Sequence, residues 1–317
     1  MKDMLAKAYI VIMWILAALG LYFVVDRYYY VVEYLLNRYV FYSTLRLPPS
    51  KNRNLLLYSN STMKLTGDHL GYGRPSLKKF LEPHNVSEIL FIPYAWPNMR
   101  DGVDTGAATE MYKSSVAPAF KSVGVSCKLM DSSASVEKQI EDIQNAQAVY
   151  MCGGNTFWLT RALHQPGVAR ALRSKIDAGM PYIGASAGTN ATCPTMQTTN
   201  DMPNCCIDGC DTLGVIPFQL NVHFNDYTPG HGFGGEARRL RLCEYLQENR
   251  TFANGKPSFV LGIREGSMLH VSGDSAELLG MHSRPAIQLQ IIDGKLTSKD
   301  IPIGSRVDSL LKQEAKA

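Results

Sequence analysis

The sequence predicts an α/β three-layer sandwich with a mostly parallel sheet, preceded by an N-terminal apolar helix. Two observations predict it. Strand-like runs at 54–59, 88–93, 123–129, 148–152 and 180–185 alternate with helix-like segments at 105–121, 136–146, 156–177 and 235–248. Such alternation calls for crossover connections, which lay helices on both faces of a parallel sheet. The length, 317 residues, suits one large domain of this class with extensions.

Ala8 to Val25 is an apolar run without a charge, bounded by Lys7 and Asp26. Its length is just enough to cross a bilayer. The five parallel-strand candidates follow from residue 54 on. Asn155 is placed to cap the helix at 156–177, and Pro166-Gly167 should break that helix. Toward the C-terminus the runs shorten to 258–263, 267–271, 276–281 and 286–292, separated by turns such as Ser272-Gly273-Asp274 and Asp293-Gly294. These read as antiparallel strands finishing the sheet. Ser305 to Ala317 is polar and helix-prone, a frayed tail. The expected organisation is an extension over 1–50, a main α/β domain over 51–304 and the tail over 305–317.

Gly184-Ala185-Ser186-Ala187-Gly188 follows the apolar run Met180 to Ile183 and reads G-x-S-x-G. Small residues on both sides of a Ser let a strand turn sharply into a helix and lift the hydroxyl to where a base can reach it. The helix N-terminus offers N–H groups to a developing oxyanion. Small residues around a Ser also occur in tight structural turns. A Ser nucleophile needs a base and a group to orient it. Among seven His, His223 follows the apolar-rich segment Leu213 to Val222 and opens a polar loop. Glu265 ends the strand-like run Phe259 to Ile263 and precedes Gly266. Taken singly, such a His also serves as a hydrogen-bonded structural residue, and such a Glu as a solvated turn residue.

Ser186, His223 and Glu265, in that order, resemble the triad of peptidase E, the α-aspartyl dipeptidases. The resemblance is carried by Leu55-Leu56-Leu57-Tyr58-Ser59-Asn60-Ser61-Thr62, Phe91-Ile92-Pro93-Tyr94-Ala95, Gly153-Gly154-Asn155-Thr156-Phe157, Thr198-Thr199-Asn200-Asp201-Met202-Pro203 and Phe218 to Phe224, within residues 54 to 282. It implies the class I glutamine amidotransferase-like fold with Ser in place of Cys. It also implies an oxyanion hole from the backbone N–H groups of Ala187 and of Gly153-Gly154. Arg238, after Gly235-Glu236-Ala237, would bind the side-chain carboxylate of an N-terminal aspartyl residue, and Asp201 would hold the substrate's ammonium. Arg238 equally suits a solvated basic helix face with Arg239 and Arg241, and the loop of Asp201 a plain turn. The family often has three Gly before Asn-Thr-Phe; this chain has Cys152 at the first. Cys152 is either an inert end-of-strand residue or one that narrows the hole.

The net charge of +4 is small and scattered, and no basic run with interleaved aromatics appears in the catalytic part, so nucleic acid is not an expected partner. The resemblance implies a small peptide with an N-terminal Asp as the partner. No cofactor and no metal are expected. The seven Cys show no disulfide framework. Cys205-Cys206-x3-Cys210 resembles a fragment of a metal site, but lacks a second pair of ligands at zinc-like spacing.

The apolar run Ala8–Val25 reads as a signal anchor. Lys2 and Lys7 precede it, no small-x-small cleavage site follows, and Tyr22, Tyr28, Tyr29, Tyr30 and Tyr34 resemble an interfacial belt. A signal peptide, a buried helix and a segment outside the working protein are the other readings. Asn60, Asn85, Asn190 and Asn249 match N-x-S/T, and a glycan at Asn190 would crowd the site. The expected location is therefore a membrane-anchored, cytosol-facing domain, with a cytoplasmic protein as the alternative. The other functional readings are a serine hydrolase for a different acyl or β-aspartyl substrate, and a membrane-tethered binding protein without turnover. The sequence says nothing of oligomeric state.

Overall fold

The computed structural model describes residues 10–15, 28–29, 31–32, 35–36, 49–64, 67–97, 99–100, 103–226, 237–249 and 258–312. The chain divides into two compact units, Met1–Ser43 and Thr44–Ala317. In the first, Ile10–Ile15 is helical. The rest of the apolar run Ala8–Val25 lies outside the described residues. Among the described residues, no helix is long and apolar enough to cross a membrane.

The second unit begins with β1 (Asn54–Tyr58), α1 (Arg74–Leu81), β2 (Glu88–Ile92) and the short hairpin β3 (Met99–Arg100) and β4 (Val103–Asp104). A helical stretch follows as α2 (Ala107–Met111), a π-helical turn (Tyr112–Val116) and α3 (Ala117–Lys121). The wide turn stops just before Pro118, which has no N–H for the carbonyl of Ser114. Then come β5 (Ser126–Leu129), α4 (Val136–Asn145), β6 (Val149–Met151), α5 (Thr156–Leu163), α6 (Val168–Asp177), β7 (Pro181–Ala185) and α7 (Ala187–Asn190). The expected strand at 123–129 starts only at Ser126, because Gly124 takes φ +83° in a turn. The side chain of Asn155 caps α5, and the helix breaks at Pro166-Gly167 as expected.

The remaining elements are β8 (Gln219–Asn221), α8 (Arg238–Glu248), β9 (Phe259–Gly262), β10 (Ser267–Ser272), β11 (Ser275–Gly280), β12 (Ala286–Ile292), β13 (Lys295–Ile301) and α9 (Asp308–Leu311). The main sheet has the order β11-β10-β1-β7-β6-β2-β5. Its members β1, β7, β6, β2 and β5 are parallel, and β10 and β11 are antiparallel. Leu55, Leu56, Leu57 and Tyr58 are all fully buried. Neighbours on a strand face opposite ways, so both faces of the sheet are covered. On one face Leu56, Tyr58, Phe91 and Tyr150 form a cluster with Leu77 and Phe80 of α1 and Phe120 of α3.

The expectation that the C-terminal strands all finish this sheet needs correction. Only β10 and β11 do so. The strands β9, β12 and β13 join β8 in a second sheet, order β13-β12-β9-β8, in which β8 and β9 run parallel. Local pattern shows strands but not which neighbour they pair with. The chain past Ser305 does not fray at once: Val307, Leu310 and Leu311 are buried, and Ala276 N donates to Asp308 Oδ1.

Candidate functional site

The end of β7 and the start of α7 meet at Ser186, whose backbone stands at φ 51°, ψ −110°. A β-carbon-bearing residue rarely adopts positive φ, and such strain gathers at functional turns. The flanking glycines make the turn possible. A Cβ on Gly188 would lie 2.0 Å from the carbonyl oxygen of Met151, and one on Gly184 would lie 2.7 Å from the carbonyl of Gly188. Helix α7 thus rests directly on strand β6.

His223 and Glu265 emerge from adjacent strands of the small sheet. Asn221 pairs with Gly262 at the parallel ends of β8 and β9. Two residues beyond the first end stands His223, at φ 53°. Three beyond the second stands Glu265. Phe224 N donates to Ile263 O, and buried Arg264 pairs with Asp226 at 2.6 Å, so the two loops are tied together. The structure brings the three residues named from the sequence together. Ser186 Oγ lies 2.9 Å from His223 Nε2, and His223 Nδ1 lies 2.7 Å from Glu265 Oε1.

Gly153 and Gly154 face Ser186 from the end of β6. A Cβ on Gly153 would touch Ser186 Cβ at 3.0 Å. Gly154, at φ +140°, has no room for one, because it would meet Ala95 O at 2.2 Å. Among the described residues, the backbone N–H groups of Ala187, Gly153 and Gly154 are not engaged in a hydrogen bond. The Cys152 side chain points away into the core cluster, and burial pushes its thiol up to about 12. Of the two readings of Cys152, the inert one fits.

Two cavities flank the Ser186–His223 pair. One, of about 320 Å³, is lined by Trp96, Met111, Asn60, Thr62, Gly153 and Glu265 among others. The other, of about 200 Å³, holds Asn190, Thr199, Asn200, Asp201 and Arg238. Arg238 opens α8 and is half-buried. Desolvation pulls its guanidinium pKa below the usual value, partly offset by the charge of Asp201. Asp201 Oδ2 accepts from the backbone N–H and hydroxyl of Thr156 at the start of α5, and from Thr199 Oγ1. This ties the Thr-Thr-Asn-Asp-Met-Pro loop to that helix. The nearby Cys205, Cys206 and Cys210 form no metal-binding group among the described residues.

Sequence reasoning assigned no part in the chemistry of the site to Ser59, Asn60, Trp96, Met111 or Asn200. The available signal for Ser59 and Asn60 was their place just past the end of a central parallel strand, where sites of α/β folds gather.

The model of peptidase family S51 matches residues 55–279. Peptidase E of Streptomyces coelicolor is 36% identical over 258 residues, 81% of this chain and 95% of the relative. A Drosophila melanogaster protein named "Probable alpha-aspartyl dipeptidase" is 34% identical over 229 residues, 72% of this chain and 87% of the relative. The crystal structure of a peptidase from an acI-B1 Actinobacterium shares the fold, with a TM-score of 0.56 at 15% identity over 80% of this chain and 96% of that one. By the extent of these matches the chain belongs to peptidase family S51, and is a serine peptidase acting on peptides.

Proposed function

We propose that the chain is an aspartyl dipeptidase that cleaves Asp-X through an acyl-enzyme on Ser186. Ser186 Oγ attacks the peptide carbonyl carbon while His223 Nε2 takes its proton. His223 then gives that proton to the leaving amine as the C–N bond breaks. Glu265 accepts from Nδ1–H and holds the imidazole in the required tautomer. The N–H groups of Ala187, Gly153 and Gly154 serve the oxyanion. A water, deprotonated by the same imidazole, releases the aspartate. Arg238 takes the substrate's side-chain carboxylate. Asp201 Oδ1 takes the ammonium, since Oδ2 already has its donors.

The observation that carries this reading is Arg238 itself. It is a half-buried guanidinium in the cavity beside Ser186, without a hydrogen bond or ion pair among the described residues. A desolvated cation in that position favours a carboxylate ligand, and a guanidinium fork binds one in bidentate fashion. Ser186→Ala should lower kcat for Asp-Leu by about 10⁴-fold or more with KM little changed, and His223→Ala should do similar damage. Glu265→Gln should cost less. Near-normal turnover by Ser186→Ala would end the proposal. Hydrolysis of β-Asp-Leu in preference to Asp-Leu would replace the substrate with the isopeptide.

We also propose that residues 8–25 anchor the protein in a membrane, with the peptidase unit facing the cytosol. In Ile10–Ile15 the side chains of Ile10, Val11, Ile12, Trp14 and Ile15 are exposed, as lipid-facing residues would be. Asn60 and Asn190, both in sequons, are 4% and 2% exposed, and their amides donate to Thr62 O and Thr199 Oγ1. A glycan on either is incompatible with this fold, which supports the cytosolic side. The full chain should resist alkaline carbonate and yield to detergent. Recovery of the intact chain in the carbonate-soluble fraction would rule the anchor out.

A further inference from the structure

Three consecutive residues at the end of β1 bond in turn to Ser186, to His223 and to Gly266, the residue directly after Glu265. Tyr58 O accepts from Ser186 N at 3.1 Å. Ser59 Oγ accepts from His223 N at 2.9 Å and donates to Ile263 O at 2.9 Å. Asn60 Oδ1 accepts from Gly266 N at 2.9 Å, directly after Glu265, while its Nδ2 donates to Thr62 O. Topology makes this possible. Strand β1 lies between β7, which leads into Ser186, and β10, which Glu265 precedes. The small sheet delivers His223 to the same end.

The bond to Ser186 uses backbone only, so any residue could supply it. The other two need side chains. His223 sits at positive φ, a conformation that persists only when its surroundings hold it. Glu265 has a side chain 56% exposed, with little packing to fix it. Its turn is held instead through backbone, by Asn60 on Gly266 N and by His282 Nε2 on Glu265 O at 2.7 Å. Ser59 and Asn60 are themselves buried, at 0% and 4% exposure. We infer that Ser59 and Asn60 are positioning residues of the peptidase reaction: Ser59 sets the backbone of His223, and Asn60 sets the turn that carries Glu265.

This inference rests on the Ser186–His223–Glu265 reading, so the test separates the two. Fluorophosphonate labelling and Asp-Leu turnover of the full chain, with and without Ser186→Ala, address that reading alone. A double-mutant cycle of Asn60→Ala with Glu265→Ala then addresses positioning. Asn60→Ala should lower kcat/KM by about 10- to 100-fold, mainly through kcat, but by less than about 3-fold once Glu265 is already gone. Asn60→Asp keeps the shape and the oxygen acceptor for Gly266 N but loses the donor to Thr62 O, so it should retain more activity than Asn60→Ala, and it serves also where Asn60→Ala does not fold. Ser59→Ala should lower kcat with KM nearly unchanged. It should also weaken the low-field proton resonance of the His223–Glu265 hydrogen bond, identified by its loss in His223→Ala. Full cost of Asn60→Ala in the Glu265→Ala background, or wild-type kcat and resonance in Ser59→Ala, would overturn the inference while leaving the triad standing.

Discussion

Arg238 and Ser186 illustrate how much at this site is decided by single side chains. Arg238 is the first residue of α8, and its neighbours Arg239 and Arg241 pair with Asp226 and Glu244 at the surface. Arg238 alone turns into the cavity beside Ser186. Arg238→Met keeps much of the volume and removes the charge. For Asp-Leu the loss in kcat/KM should be on the order of 2–5 kcal/mol, the cost of stranding a desolvated carboxylate. Ala-Leu leaves no carboxylate stranded and should lose far less. Equal losses for the two dipeptides would assign Arg238 a structural role.

At the scale of elements, the site depends on how closely α7 approaches β6. Gly188 N donates to Cys152 O, and Tyr182 Oη donates to Gly188 O at 2.6 Å. The contact is backbone against backbone, with no flexible side chain to move aside. Gly188→Ala should therefore cost more than the 1–3 kcal/mol common for overpacking, and any folded fraction should have lost activity as Ser186 shifts. A variant with wild-type melting temperature and turnover would show that α7 can slide. Another link is buried Arg173 in α6, which bonds Asp177 Oδ2 at 2.7 Å and the carbonyls of Leu213 and Gly214. It holds the segment leading into β8, and so toward His223.

For the whole molecule, partly buried His69 adds a pH dependence to stability. His69 Nε2 lies 2.7 Å from the hydroxyl of fully buried Tyr150, and desolvation lowers the imidazole from 6.5 to about 4. The unfolded chain then binds a proton that the folded chain refuses. The contribution of His69 to stability is full above about pH 6.5 and is lost with acidification toward about pH 4. The shift corresponds to roughly 3 kcal/mol from this residue. His69→Gln keeps an acceptor for Tyr150 but cannot titrate. Urea unfolding at pH 7.5 and 4.5 should show a loss smaller by roughly 2–3 kcal/mol in the variant than in the wild type. Identical losses would place the acid sensitivity elsewhere.

The sequence by itself determined the elements, and with them named the residues of the proposed site. Apolar runs and turn residues marked the five parallel strands, the cap at Asn155 and the break at Pro166-Gly167, because these depend on local chemistry. The Gly-rich surround of Ser186 was legible for the same reason: only small residues permit that turn. His223 and Glu265 were marked by their places at strand ends. Tertiary structure alone decided how those ends meet. Hydrogen bonding between strands is set by non-local register, which divided the C-terminal strands between two sheets and made β8 and β9 parallel neighbours. That pairing brings residues 42 apart in sequence within 2.7 Å. Ser59 and Asn60 look from the sequence like the polar end of a strand. Their bonds to His223 and Gly266 span 164 and 206 residues, and contacts of that range exist only once both sheets have closed around β1.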